Sequence, residues 1–269
     1  MELTSKTSDG SISRQSLWLV TAASFLFAPV GCGTNPQKSF DPASAVAIET
    51  VAVLVNDVQD KATVSPDFGN DAAFMAGFVG GLIGSLIVGA TYSAIMSKQS
   101  DAYQKSLAKP MPDMERLAAE SLVKKVGKSL LRFEVVRLTG ELASKRDITP
   151  EELGRLELPN DAFLQVNVSD YGYASNGKGY QPFLMGSAQL VRKGSTEAIY
   201  TAYIRSPELF EGMSEDSYTP IHTEPGYFYS TTEELYKDAD RAQKGIIAMA
   251  RRMGEMVASD LGSLVSPVD

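Results

Sequence analysis

The chain is poor in the side chains that build common reactive centres. Its 269 residues hold one cysteine, Cys32, and one histidine, His222. A single cysteine excludes an internal disulfide and any cysteine-rich zinc site, and a single histidine excludes every motif that needs two in one chain. The phosphate-loop pattern GxxxxGK is missing, as are HExxH and GxSxG. Basic residues are outnumbered, 25 against 33 acidic, for a formal charge of −8. That balance argues against binding to a phosphate backbone, which requires a basic face, so no nucleic-acid partner is expected. The pattern assigns no catalytic residue, metal or cofactor, and a non-enzymatic role is the expectation.

What is present begins at the N-terminus. Residues 1–15 are polar, with Lys6 and Arg14 offsetting Glu2 and Asp9. An uncharged, mostly apolar run, Leu17–Gly31, follows and ends at Gly31-Cys32. It has the length of a signal-peptide core and is short for a membrane span. The run resembles a bacterial lipoprotein signal, with Val30 and Gly31 in the two positions before the modified cysteine. Pro29 departs from the leucine usual one position earlier, and the amino-terminal region is only weakly positive. An uncleaved anchor or a buried N-terminal helix is the alternative. The resemblance implies cleavage after Gly31, lipid on the Cys32 thiol and acylation of the new amino group. Each buried methylene of such chains adds about 0.8 kcal/mol of membrane binding. Gly33 and Thr34 lack the aspartate that retains some lipoproteins in the inner membrane, which favours the inner leaflet of the outer membrane, facing the periplasm. Domains are expected as a signal peptide over 1–31, a lipid-anchored tether over 32–46, and one α+β domain over 47–269.

Within that domain, Val51–Val55 is compact and rich in β-branched residues, as in a buried strand. Lys61–Asn70 carries Pro66 and Gly69 and reads as a loop. Residues Ala72–Met96 contain no charge and read as a glycine-rich helix. Gly77 and Gly81, and again Gly80 and Gly84, are spaced four apart, with Gly89 beyond them. Four-residue spacing puts the members of each pair on one helical face, where another backbone can approach closely. Its length also meets the about 20 apolar residues that cross a bilayer. Packing against protein, lying on the membrane and true insertion are all open on this pattern, and a homo-oligomer is one use of the glycine faces.

Met114, Leu117, Ala118, Leu122, Val126 and Leu130 follow helical spacing from near Pro112. Acidic residues come early and Lys124, Lys125, Lys128 and Arg132 late, complementing the helix dipole. Residues 133–142 fit either a helix continuation or a strand. Thr149 caps a short helix that opens with Pro150. Beyond Pro159 the period falls to two: Leu164, Val166 and Val168 alternate with polar residues. The stretches "PFLMGSAQLVR" and "AIYTAYIR", joined through "KGST", make a hairpin and complete a three-strand meander. "YGYASNGKGY" reads as a turn-rich tip and 207–230 as an irregular loop containing His222. Its aromatics, with those of the tip, supply candidate contacts at Tyr171, Tyr173, Tyr180, Tyr227 and Phe228, since aromatic residues often anchor interfaces. From Thr231 a long apolar stripe runs through Leu235, Ala242, Ile246, Met249, Met253 and Val257, as in a helix packed across the sheet.

The fold class expected is therefore α+β, a mostly antiparallel sheet packed by helices on one face. The stretches "TVAVLV", "DAFLQVNVSDYGY" and "FLMGSAQLVRKGSTEAIYTAYI", with the C-terminal helix, resemble the small envelope domains of the TolB N-terminal and curli-secretion-type lipoprotein group. That resemblance implies a structural or protein-interaction component among envelope proteins, held to the membrane through Cys32. An oligomeric transport or secretion component built on 72–96, or a lipoprotein binding a small ligand or lipid between sheet and helices, stands as the alternative.

Overall fold

The computed structural model describes residues 37–45, 48–56, 61–65, 81–127, 131–175, 177–206 and 218–262, all within one compact unit, Pro36–Asp269. Cys32, Gly77 and Gly80 lie outside the described residues, as does the signal-peptide segment.

Strand β1, Thr50–Val55, is the structural centre. Val51, Val53 and Val55 point into one core and Ala52 and Leu54 into another. A strand buried on both faces needs this unbroken apolar run. It pairs in parallel with β3, Arg132–Arg137, on one side and with β4, Ala162–Ser175, on the other. β4 continues into the meander, antiparallel to β5, Tyr180–Arg192, which is antiparallel to β6, Ala198–Arg205. The seven-stranded sheet runs β3-β1-β4-β5-β6-β7, with β7 at Thr219–Pro220. β2, Thr63–Ser65, adds in parallel to the far end of β4. The sheet is thus mixed: an antiparallel meander on one side and parallel pairs around β1 on the other.

β2 falls inside a segment whose proline and glycine suggest only loop. Its partner explains it. Thr63 lies opposite Gly172, where a Cβ would sit 1.8 Å from the Thr63 carbonyl oxygen. Gly172 also has φ +154°, so only glycine lets the two backbones meet there.

Helix α1, Gly81–Ser106, is followed by α2, Met114–Val126. Asp113 caps α2, its carboxylate accepting from the Arg116 N–H at 2.9 Å. The helix α3, Pro150–Gly154, carries the expected Thr149 cap, completed by Glu152 into a reciprocal capping box. The C-terminal apolar stripe breaks at Asp238 into α4, Thr232–Lys237, and α5, Ala239–Asp260. Long helices α2 and α5 cover the first face of the sheet and share its main core with the end of α1. Short α3 and the turn Gly140–Ser144 lie on the second face, where Leu138, Ile148 and Leu153 meet Phe163 and Val191. Both faces therefore carry helical cover, the long helices on one only.

The segment expected as a tether is partly docked. Lys38 and Thr201 exchange both backbone hydrogen bonds, at 2.9 and 3.0 Å, on the outer side of β6. The Gln37 amide donates to the Thr219 hydroxyl, the Lys38 ammonium to the Ala198 carbonyl and Arg192 to the Ser44 carbonyl.

Candidate functional site

The sequence's candidate contact residues converge on one end of the domain, and most are turned inward. Tyr171, Tyr173 and Tyr180 are 4%, 0% and 6% exposed. The expectation that they form a surface tip is corrected by the length of the strands. β4 runs on to Ser175 and β5 begins at Tyr180, so the turn shrinks to four residues and the rings enter the core. Only Phe228, 44% exposed, and the half-buried Tyr227 face outward among the five.

Tyr173 is the hub of the inward group. Its hydroxyl donates to the Ala242 carbonyl at 3.1 Å. Its ring stacks edge-on against Tyr229, with centroids 5.6 Å apart, and lies 6.2 Å from Tyr103. Tyr229 is tied to Tyr180 by a reciprocal pair of backbone hydrogen bonds, and the Arg241 guanidinium lies 5.9 Å over its ring. Arg241 also donates to the Gly226 carbonyl, which fastens the 218–230 loop to α5. Burial pushes the Tyr229 phenol up to about 12, and raises Tyr103 and Tyr173 further. Such phenols stay protonated at neutral pH. The Tyr103 and Tyr229 hydroxyls are buried and have no hydrogen-bond partner among the described residues.

The carboxylates near β4 are committed to the backbone. Asp161 accepts from the N–H groups of Glu49 and Thr50 and from the Thr50 hydroxyl, all within 3.0 Å, and these bonds lower its pKa. Asp170 accepts from the Thr63 hydroxyl and the Tyr171 N–H. The carboxylate that the sequence pattern does not single out is Glu115, which reads there only as one of the acidic residues early in its helix. It is 5% exposed. Its two oxygens accept from the Asn56 N–H at 3.0 Å, at the end of β1, and from the Val168 N–H at 3.2 Å, beside the irregularity in β4. No local pattern signals this, because both partners are distant in sequence.

Two concavities bear on ligand binding. A groove of about 670 Å³ between α2 and α5 is lined by Leu117 and by six polar or charged residues, Lys124, Lys125 and Arg251 among them. Binding pockets for small ligands are mostly apolar with a few placed polar groups, and this groove has the reverse composition. A second cavity, beside His222 and Tyr227, holds about 10 Å³, space for one water at most. Among the described residues no cluster of His, Cys, Asp or Glu is arranged to hold a metal.

Gly81, Gly84 and Gly89 lie in the N-terminal part of α1. The other end of that helix is pinned: the Ser100 hydroxyl accepts from the Val64 N–H at 2.9 Å, the Tyr236 hydroxyl donates to the Gln99 carbonyl at 3.3 Å, and Tyr103 is fully buried. Between the two, Ser93, Ala94 and Ile95 are exposed in succession. Successive helical residues point 100° apart, so these three turn about half of the helix circumference outward at this level. Among the described residues no helix is long and apolar enough to cross a membrane.

The fold is a mixed α+β domain with a seven-stranded sheet packed against several helices. The chain matches no protein-family model and no curated protein.

Proposed function

We propose that the chain is a lipid-anchored protein of a bacterial envelope. It is held in the outer membrane through Cys32, and it acts by contacting other envelope proteins rather than by catalysis. The observation that carries the reading is the docking of Lys38 on β6, with Gln37 bonded to β7 and Ser44 to β5. Four residues separate Cys32 from Gln37, and the five steps between the two Cα atoms, fully extended, reach at most about 18 Å. A lipid on Cys32 would therefore hold Gln37 within about that distance of the anchored residue. The element order, with a strand, two helices, a meander and a closing helix, supports the likeness to the TolB N-terminal and curli-secretion-type lipoproteins. The buried tyrosines and the carboxylates around β4 serve the fold, which supports a binding role over an enzymatic one.

A second use is favoured by α1. A helix exposed at Ser93–Ile95 and preceded by uncharged sequence back to Ala72 supports an arm for oligomer formation or bilayer contact, as a transport or secretion component would need.

The test is intact mass of the protein from its native membrane, together with carbonate extraction of a Cys32→Ser form. Cleavage before Cys32 with an acyl mass increment is expected, and an uncleaved, unacylated chain overturns the proposal. A cleaved Cys32→Ser form that turns soluble leaves the glycine-rich helix to protein partners. One that resists carbonate puts that helix in the bilayer.

A further inference from the structure

The groove between α2 and α5 gathers cations that the fold does not use. Lys124 and Lys125 line it from the last turn of α2, and Arg251 from the middle of α5. All three are exposed, and among the described residues none of their side chains makes a hydrogen bond or an ion pair. The end of α2 accounts for the two lysines, since cations suit the C-terminal carbonyls of a helix. It does not account for Arg251. The neighbouring Arg252 donates to the His222 carbonyl at 3.2 Å, whereas Arg251 lines the groove with Glu255 one turn on and no ion pair between them. Glu120, the other carboxylate of the groove, accepts from Arg116 at 2.7 Å, so its charge is answered from outside the cluster. In a chain of net charge −8, three unpaired cations around one concavity concentrate a positive field where the rest of the surface has little.

We infer that this groove binds a phosphate group carried by a larger ligand. A polar lining, unsuited to an apolar molecule, suits a charged one. Arg251 brings the planar fork that meets two phosphate oxygens at once, and the lysines bring compact charges on flexible stems. With the Ser121 hydroxyl these donors come from two helices and outnumber the two oxygens of a carboxylate, whereas a phosphate has oxygens for each. At about 670 Å³ the groove is far roomier than a phosphate alone, and half-buried Leu117 offers the rest of the ligand an apolar wall. Glu120 and Glu255 each lie one turn along their helix from a cation and interrupt the basic surface, so a single headgroup fits and a polyanion does not. The site does not depend on a lipid at Cys32.

The test uses the Cys32→Ser chain, which carries no lipid of its own. Inorganic phosphate, titrated by calorimetry at constant ionic strength, is expected to bind. Arg251→Gln with Lys124→Gln should weaken it about tenfold or more. Both positions are exposed, so the variant keeps its fold, and its melt without phosphate verifies that. Lys105→Gln with Lys109→Gln, the same charge change on exposed residues away from the groove, should bind as the parent does. Glu255→Gln, which removes a negative charge from the groove, should tighten binding. Phosphatidylcholine vesicles with and without phosphatidic acid separate the sources. Retention on phosphatidic acid that the Arg251 and Lys124 variant loses assigns the phosphate to a lipid headgroup, and phosphate binding without retention assigns it to a soluble ligand. Failure to bind both probes, or binding that the two double variants weaken alike or leave unchanged, overturns the inference.

Discussion

The crossing of α2 and α5 offers a case in which two physical effects predict opposite signs. Gly254 sits inside α5, where alanine in its place should stabilise the helix by about 1 kcal/mol on intrinsic propensity. In this structure, however, a Cβ at 254 would lie 2.0 Å from the Ala118 carbonyl oxygen and 2.9 Å from the Leu122 nitrogen. Both are backbone atoms of α2 and cannot rotate away. An ordinary carbon–oxygen contact is about 3.4 Å, so the helices must part by more than an ångström along a seam buried at Ala118, Leu122, Met253 and Val257. Overpacking of a tight core typically costs about 1–3 kcal/mol, and a backbone clash belongs at the top of that range. The net expectation for Gly254→Ala is a loss of about 2 kcal/mol, or roughly 4–8 °C in melting temperature for a domain of this size. Urea and thermal melts against wild type measure it. Gly226→Ala, where no atom lies within 4 Å of the added carbon, serves as the reference and should change little. If Gly254→Ala melts at or above wild type, the close crossing of α2 and α5 is wrong.

Four further outcomes follow from the polar groups. Glu115→Gln turns an amide N–H₂ toward one of two backbone N–H donors, Asn56 or Val168, and should cost about 1–3 kcal/mol in urea unfolding. Tyr173→Phe should cost about 1 kcal/mol for its bond to Ala242, whereas Tyr103→Phe, losing a hydroxyl without a described partner, should be neutral or stabilising; a loss at Tyr103 as large as at Tyr173 would contradict the packing of these rings. Glu152 is held down to about 2 from an ordinary value near 4.5, mainly by Lys145 and then by Thr149. A lowered carboxyl stabilises the fold above its unfolded value and ceases to as the pH falls through its folded one. The melting-temperature gap between wild type and Glu152→Gln should therefore close between about pH 4.5 and pH 2, and narrow in high salt because the pair is exposed. Burial holds the Tyr229 phenol up at about 12 rather than 10, so the fold loses stability as pH rises from 10 through 12, a loss that alkaline melts of Tyr229→Phe beside wild type should show reduced.

The legible parts of this fold are those whose periodicity is local. Leu164, Val166 and Val168 alternate cleanly and lie in β4. Thr149 with Pro150 and Glu152 makes a capped helix, and the stripe from Leu235 to Val257 makes α4 and α5. The break at Asp238 is invisible in the sequence because an apolar stripe continues across it in register. β3 is undecidable because as an edge strand it has exposed residues at four of its six positions, which blurs the alternation. β2 is hidden because three residues carry no period, and its existence depends on Gly172, more than a hundred positions away. The tyrosines mislead for a related reason: a ring next to glycines reads as a turn, while the strands that bury it are specified by their partners. At the candidate site Phe228 is exposed, and the role of Glu115 needs the distances between α2, β1 and β4.

The hydrogen-bonded start of the domain also sets how it carries load. Tension applied at the N-terminus meets first the Lys38–Thr201 pair and the Gln37 and Arg192 side-chain bonds, a few contacts on the rim of the sheet. They open one after another, like a zip, while the thirteen-pair ladder between β4 and β5 remains unstressed. Under such a pull the segment 37–45 should therefore yield before the sheet does.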